Sequence, residues 1–189
     1  FKKSAGSGTT TVSTPFSNSG AVQALAGTLS YTGGFTQTAG STTLNGGALT
    51  STTTLNINGG TFTGVGTATA TMSSSGHVAP GLPIGTLTLS GNYTQASGGA
   101  LDIDLGGTSP GTGYDQFVVS GAGAATLAGT LNVSFVNGYV PAGGSTYTVM
   151  TYVSHTGTFG TVNTPGVDCV GWMTAYNATS VVLSAVHRA

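Results

Sequence analysis

The sequence predicts an all-β fold built as a solenoid, in which short strands stack from one coil of the chain to the next. Three observations support this prediction. Short runs alternate apolar and polar residues with a period of two, which is typical of strands. Gly-Gly or Asn-Gly pairs follow many of these runs. One segment of the chain recurs further along, as stacked repeat architectures require.

The strands are expected where the alternation is clearest. These runs are 28–31, 54–58, 86–90, 101–105 and 131–135. Turns are expected at the paired residues 33–34, 46–47, 59–60, 98–99, 106–107 and 137–138. No segment has a convincing helical period, so helices are not predicted.

The repeat relates GTLSYTGGFTQTAG at 27–40 to GTLTLSGNYTQASG at 85–98. A shorter copy, LAGTLNVS at 127–134, resembles LAGTLSYT at 25–32. If one coil of a solenoid takes about 20 residues, the offset between the two long copies corresponds to about three coils. Each coil would bury its apolar side chains only by stacking on its neighbours.

The composition changes near residue 114. Beyond it the apolar runs lengthen, at 117–119, 147–153 and 180–186, and the last run is expected to pair with 171–176 through a turn at 177–179. We therefore predict a flexible N-terminal arm at 1–14, solenoid coils at 15–113, and C-terminal β-rich coils or a cap at 114–189. A solenoid needs such a cap to shield its last coil.

The charge content excludes several classes of protein. Only 4% of the 189 residues are charged, against about 25% in an average protein. The three basic residues are Lys2, Lys3 and Arg188, so no basic patch for nucleic acid is present. A helical bundle is excluded because 33 Gly, 35 Thr and 20 Ser make up nearly half of the chain. The net charge of −1 leaves little repulsion between copies, which favours association.

Several segments between residues 75 and 165 resemble one known family. They are HVAPG at 77–81, IGTLTLSGNYTQ at 84–95, LDIDLGG at 101–107, YDQFVVSG at 114–121 and the run 125–152. Together they resemble the C-terminal part of bacterial autotransporter passengers and related secreted adhesin-like β-helix proteins. The resemblance implies a right-handed parallel β-helix, exported to the cell surface and not catalytic in this segment.

Two aspartates on one predicted strand form a candidate catalytic pair. Asp102 and Asp104 lie two residues apart, so both carboxylates project from the same face, about 7 Å apart along the strand. This spacing is close to that of an inverting glycosidase. With Asp115, the same residues are candidate calcium ligands, although calcium needs six to eight oxygens. The alternative is an exposed polar face that alternates with inward Leu101, Ile103 and Leu105.

Other candidate sites rest on single residues. Trp172 and Tyr176 are candidates for glycan binding on an exposed aromatic strip. Cys169 has no partner for an internal disulfide, and we expect it to be a buried or intermolecular thiol. His77 and His155 lie far from any second ligand in sequence, so neither a metal site nor a cofactor is predicted. Paired Thr residues leave an ice-binding face as a further alternative.

The sequence therefore predicts a non-catalytic, extracellular structural or adhesive β-solenoid of the bacterial cell surface, secreted and without a membrane-spanning segment. Its neutral faces and basic ends suggest end-to-end assembly into a homo-oligomer or filament. Host or matrix glycans are candidate partners, and nucleic acid is not. The alternatives are a β-helix that binds or cleaves polysaccharide, and a monomeric stalk fragment of a larger passenger.

Overall fold

The described chain forms β-strands and turns only. A computed structural model describes residues 1–166, 168 and 170–187, and this part of the chain contains 23 strands and no helix. The strands are numbered β1 to β23 along the sequence. They lie in three ladders of hydrogen-bonded strands, which we call ladders A, B and C.

Each ladder collects strands from the whole length of the chain. Ladder A contains β1 (Lys2–Lys3), β4 (Ala21–Ala24), β7 (Ser41–Asn45), β10 (Thr61–Thr69), β12 (His77–Pro80), β15 (Ala100–Leu105), β18 (Thr130–Phe135) and β21 (Thr161–Asn163). Ladder B contains β2 (Thr9–Val12), β5 (Thr28–Tyr31), β8 (Ala48–Ser51), the second half of β10, β13 (Thr86–Ser90), β16 (Gln116–Ser120), β19 (Thr146–Thr151), β23 (Ser180–His187) and β22 (Val170–Asn177). Ladder C contains β3 (Phe16–Asn18), β6 (Phe35–Gln37), β9 (Leu55–Ile57), β11 (Met72–Ser74), β14 (Tyr93–Gln95), β17 (Ala124–Leu127) and β20 (Ser154–Gly157).

The chain passes through ladders A, B and C in turn, and one such passage is called a coil. Each strand pairs in parallel with the corresponding strand of the next coil. The antiparallel pairs among named strands are β19 with β23 and β23 with β22, at the C-terminal end of ladder B. This all-β arrangement of parallel strands is compatible with the predicted β-solenoid. The predicted hairpin between 171–176 and 180–186 is confirmed as β22 and β23.

The coils differ in length. On ladder A, Ala21 pairs with Ser41 and Ser41 pairs with Thr61, so these two coils are equally long. The next coil is shorter, because Thr61 already pairs with His77. A late coil is much longer, because Thr130 pairs with Thr161. Loops at 106–115 and 136–145 lengthen the later coils, since they join ladder A strands to ladder B. A fixed period therefore describes only the first part of the chain.

The internal repeat lies three coils apart, as its offset predicts. Phe35 is connected through Leu55 and Met72 to Tyr93, which occupies the same position in the second copy of the repeat. On ladder B, residues that stack three coils apart are separated by two more positions than the two copies of the repeat. There Leu29 stacks through Leu49 and Ala68 to Leu89. This shift keeps the same face of the strand inward, since side chains alternate with a period of two.

Alternation along the strands places the apolar side chains in one continuous core. Five aromatic residues of the strands are buried in it, Phe35, Phe62, Tyr93, Phe117 and Tyr147, and so are Tyr152 and Phe159 outside the strands. Buried side-chain amides lie among them and donate to backbone carbonyls of neighbouring coils. The Nε2 atom of Gln95 donates to the carbonyl oxygens of Gly99, Ala128 and Thr130 at 2.9–3.1 Å.

Gly64 lets β10 turn the corner between ladders A and B without a break. Its φ is +123°, which L side chains rarely adopt, and an added Cβ would stand 1.9 Å from the carbonyl oxygen of Leu44. Only glycine fits this close approach of two coils.

The segments predicted as separate from the coils take part in the ladders. Within the predicted arm at 1–14, β1 pairs with β4 and β2 pairs with β5, so these residues form a coil of their own. Across the predicted boundary at 113–114, β16 continues ladder B by pairing with β13. Both regions pair with the ladders because even a short run of alternating apolar and polar residues can form a strand beside a neighbouring coil.

Tyr31 carries a buried hydroxyl that has no hydrogen-bond partner. We expect Tyr31→Phe to raise the free energy of unfolding by about 1 kcal/mol, because it removes an unsatisfied polar group from the core. The matched control is Tyr93→Phe, since the Tyr93 hydroxyl donates to Oε1 of Gln95 at 2.9 Å. That variant should be destabilised by about 1 kcal/mol or more. Chemical denaturation of both variants checks this, and equal losses of stability would contradict it.

Candidate functional site: the polar row of ladder A

Four polar side chains form a row on the outer face of ladder A. They are His77, Asp102, Asn132 and Asn163, one from each of β12, β15, β18 and β21, and we call them the polar row. Asp102 pairs with Asn132, and Asn132 with Asn163, so the last three stand directly above one another. His77 pairs with Ala100, two residues before Asp102, and therefore shares its face.

Hydrogen bonds connect the whole row. Nδ1 of His77 lies 2.6 Å from Oδ2 of Asp102. Nδ2 of Asn132 donates to Oδ1 of Asp102 at 2.8 Å, and Nδ2 of Asn163 donates to Oδ1 of Asn132 at 2.9 Å. Both carboxylate oxygens of Asp102 are thus engaged within the row.

The row is solvated. The side chain of His77 is 52% exposed and that of Asp102 is 32% exposed. An exposed pair of this kind contributes about 1 kcal/mol or less to stability. Hydrogen bonds of the row therefore connect four coils. Both carboxylate oxygens of Asp102 take part in them.

Asp104 is the second member of the predicted catalytic pair, and it lies on the same face of β15, half-buried. Burial raises its pKa above the ordinary value, and the nearby Asp102 carboxylate raises it further. A raised pKa is what a general acid needs. A glycosidase also needs a cleft that surrounds its substrate. A groove of about 210 Å³ lies at the N-terminal end of the molecule, lined by Pro15, Phe16, Ser17, Gly33, Gly34 and Thr36, and no residue of the polar row lines it.

Asp115 is buried and binds the backbone. Its Oδ1 accepts the amide of Gly85 at 2.8 Å, and its Oδ2 accepts the amide of Asp104 at 2.9 Å. Burial raises the pKa of Asp115 to about 7, although these two amide donors lower it and the Asp104 carboxylate raises it again. The carboxylate holds the loop before β13 against the end of β15.

This geometry counts against the predicted calcium site of Asp102, Asp104 and Asp115. Both oxygens of Asp102 and both of Asp115 already accept hydrogen bonds. Among the described residues, no group of three or more His, Cys, Asp and Glu side chains is arranged to hold a metal ion. Calcium requires six to eight oxygens around one point, which two engaged carboxylates do not offer.

Trp172 and Tyr176 face the core instead of forming an exposed strip. The ring of Trp172 lies 6.1 Å from those of Phe135 and Tyr147. The Tyr176 hydroxyl accepts the backbone amide of Phe159 at 3.1 Å. Alternation along β22 turns both rings inward and leaves the opposite face, with Met173, exposed. This placement counts against the predicted glycan-binding role.

The remaining candidates are partly described. His155 is half-buried, and its ring lies 4.9 Å from that of Tyr152 and 6.3 Å from that of Tyr176. It is packed among aromatic rings as an ordinary structural histidine. Cys169 lies outside the described residues, and so does Arg188.

The contact between His77 and Asp102 is the feature that sequence reasoning missed. The two residues are 25 apart in sequence, which is further than one early coil advances, such as the coil from Ala21 to Ser41. An alignment of the HVAP strand with the ALDIDL strand would have placed His77 opposite Ala100, two residues from Asp102 and on the same face. The proximity of His77 and Asp102 was therefore encoded in the register of neighbouring coils and not in a local motif.

Comparison with known proteins leaves the family open. No family model matches the chain, and a search of curated proteins finds no match. The part of the chain that the structure describes contains no helix that is long and apolar enough to cross a membrane.

Asp115 makes stability depend on pH. In the folded chain its pKa is about 7, above the ordinary 3.8, so the folded state holds this proton more tightly. The stabilisation that protonated Asp115 gives the folded state is fully present below pH 3.8. It is lost as the pH rises through about 7. We expect the free energy of unfolding to fall by a few kcal/mol over this range, at about 1.4 kcal/mol per unit of pKa shift.

Asp115→Asn should flatten this pH dependence, apart from a smaller slope that Asp104 retains. The measurement is urea denaturation between pH 4 and pH 8. The matched control is Asp168→Asn, because Asp168 is exposed in a turn and should leave the slope unchanged. An equal slope in the wild type and in Asp115→Asn would show that Asp115 ionises freely in the folded chain.

Proposed function

We propose that this chain is a non-catalytic structural or adhesive β-solenoid, a rigid stalk segment of a bacterial cell-surface protein. The observation that supports it most directly is the continuity of the three ladders. Eight strands of ladder A span about 34 Å at the usual spacing of about 4.8 Å. A rod with one continuous core keeps whatever is attached to it at a fixed distance, and it needs no catalytic group.

The surface chemistry agrees with this role. Side chains on the outer faces are mostly Thr, Ser and Asn, and the charged residues are few. The pKa values of Asp104 and Asp115 are raised, and the Asp115 carboxylate accepts the backbone amides of Gly85 and Asp104. The resemblance to autotransporter passengers supplies the expectation of export and of a right-handed parallel β-helix.

The proposal includes a cap formed by the hairpin of β22 and β23. The hairpin adds two antiparallel strands to ladder B and packs Trp172 and Tyr176 over the last coil. Nε1 of Trp172 donates to the carbonyl oxygen of Pro165 at 3.3 Å, which ties the hairpin to the chain after β21. A solenoid needs such a cover over the final layer of its core.

End-to-end assembly in a straight line has little support from this geometry. Ladders A and C end at β21 and β20, whereas ladder B continues through β23 and β22. The two extra strands would stand in the way of a second copy whose three ladders continue those of the first. The stalk is therefore preferred here to the filament that the sequence suggests.

Trp172→Ala tests the cap against glycan binding. As a cap residue, Trp172 should cost about 2–4 kcal/mol of stability when truncated, because a large ring leaves the core. The control is Met173→Ala on the exposed face of the same strand, which should change stability by less than about 0.5 kcal/mol. Thermal unfolding and a glycan array are measured on both variants. Unchanged stability together with lost glycan binding in Trp172→Ala would overturn the cap and restore the glycan site.

A polysaccharide-cleaving function is a second candidate, favoured only by the raised pKa of Asp104. We expect no release of reducing ends from soluble polysaccharides by the wild type. The comparison protein is Asp102→Asn/Asp104→Asn, which keeps the shape of both side chains. Turnover by the wild type that this double variant abolishes would show that the chain is an enzyme.

A further inference from the structure

Asn-Gly pairs occur at three places in the chain, at 45–46, 58–59 and 137–138. Asparagine is among the chemically labile residues of proteins. The backbone nitrogen that follows it can attack the Cγ atom of its side chain. A following glycine hinders this attack least, because it has no Cβ and leaves the backbone free to turn. The structure distinguishes the three pairs by how firmly their backbone is held.

The first pair is held in ladder A. Asn45 is the last residue of β7 and pairs with Val65 of the next coil. Directly after the pair, the amide of Gly47 donates to the carbonyl oxygen of Ala24 in the previous coil at 3.2 Å. The backbone around Asn45 therefore cannot turn unless this part of the ladder opens.

The second pair follows β9 and is held by the coils on both sides. The amide of Asn58 donates to the carbonyl oxygen of Gln37 at 2.8 Å, and its own carbonyl oxygen accepts the hydroxyl of Ser75 at 3.3 Å. A Cβ on Gly59 would stand 2.5 Å from the carbonyl oxygen of Thr38, so the previous coil lies directly against the pair.

The third pair lies in the loop that joins β18 to β19, outside the three ladders. Asn137 and Gly138 have φ of +56° and +69°, and the amide of Tyr139 donates to the carbonyl oxygen of Val136 at 3.0 Å. Positive φ at both central residues is typical of a type I′ turn. Both residues are exposed, and a Cβ on Gly138 would meet no atom within 4 Å. Among the described residues, no hydrogen bond holds the Asn137 side chain or the Gly138 amide.

We propose that Asn137 and Gly138 form a modification site, at which Asn137 is converted without an enzyme into aspartate and isoaspartate. Hydroxide removes the amide proton of Gly138, and the nitrogen forms a bond to Cγ of Asn137. The bond from Cγ to Nδ2 breaks, and the side-chain nitrogen takes up a proton from water and leaves as ammonia. Water then opens the resulting five-membered succinimide at either carbonyl. The conversion consumes water alone and changes no oxidation state.

The position in the loop decides which pair reacts. The nitrogen of the glycine must swing towards Cγ, and this movement distorts the backbone on both sides. At Asn45 and Asn58 the movement first requires local opening of stacked coils, which costs free energy. At Asn137 it disturbs only the hydrogen bond that closes the turn. The native protein should therefore react at the third pair and spare the other two.

The product changes the charge and the shape of the loop. The new carboxylate is added to a chain whose net charge is only −1. Nδ2 of Asn137 lies 3.4 Å from the place where a Cβ on Gly106 would stand, so the carboxylate would lie beside the loop that follows β15. Isoaspartate also lengthens the backbone of the turn by one carbon. The inference concerns this loop and does not rest on the proposed stalk function.

The test compares the native protein with the same chain unfolded in urea. Both are kept in mildly alkaline buffer, and samples taken over time are digested with pepsin at acid pH, where the reaction is slow. Mass spectrometry measures the conversion of amide to acid at each Asn-Gly pair. In urea the three pairs should react at similar rates, since each contains the same two residues.

In the native protein we expect Asn137 to react at least about tenfold faster than Asn45 and Asn58, because only the latter two require a ladder to open. A smaller difference, or a faster reaction at either ladder pair, would overturn the proposal. The unfolded chain provides the reference, so a difference that is intrinsic to the local sequence is recognised and removed.

Two variants locate the reaction by a second readout. Asn137→Gly removes the side-chain amide and keeps the positive φ of the turn, which glycine adopts freely. Isoaspartate in the aged native protein, measured with protein isoaspartyl methyltransferase, should fall to the background in this variant. The matched control is Asn45→Gly, which should accumulate as much isoaspartate as the wild type. Circular dichroism and thermal unfolding establish that both variants are folded. Isoaspartate that persists in Asn137→Gly would also overturn the proposal.

Discussion

The parallel hydrogen-bonded register between successive coils is the constraint on which this molecule depends. Most of the described strands are short, and several, such as β3 and β6, contain only three residues, so these would not persist alone. Each becomes stable because the coil below supplies its hydrogen bonds and the face on which its side chains stack. The register then decides which side chains lie in the core and which lie in rows on the surface. Gly64 illustrates how tight this stacking is, since only a residue without a Cβ passes the carbonyl of Leu44.

Charged residues are few, and two of the described aspartates have clear structural roles. Asp102 links His77 to Asn132 across three coils. Asp115 lies inside, where two backbone amides compensate in part for the loss of water. Lys3 pairs with the buried Ala24 of the next coil. A surface with so few charges carries no field that would steer an ionic substrate, which agrees with a structural role.

The hairpin of β22 and β23 differs from the rest of the ladders because its strands pair antiparallel. Trp172 and Tyr176 of this hairpin pack against the core, and Met173 on the opposite face is exposed. In the proposed stalk, the hairpin would close the last layer of the core by burying apolar surface.

The sequence by itself determined the class of fold, the faces of the strands, the hairpin and the three-coil distance of the repeat. It could do so because alternation and turn residues are local signals. Only the tertiary structure decided which residues meet across coils: His77 with Asp102, Asp115 with the amides of Gly85 and Asp104, and Lys3 above Ala24. The physical reason is that the coils advance by unequal lengths of chain, since loops of different length join the ladders. Contacts along the solenoid therefore depend on hydrogen-bond register, which no fixed sequence spacing reveals.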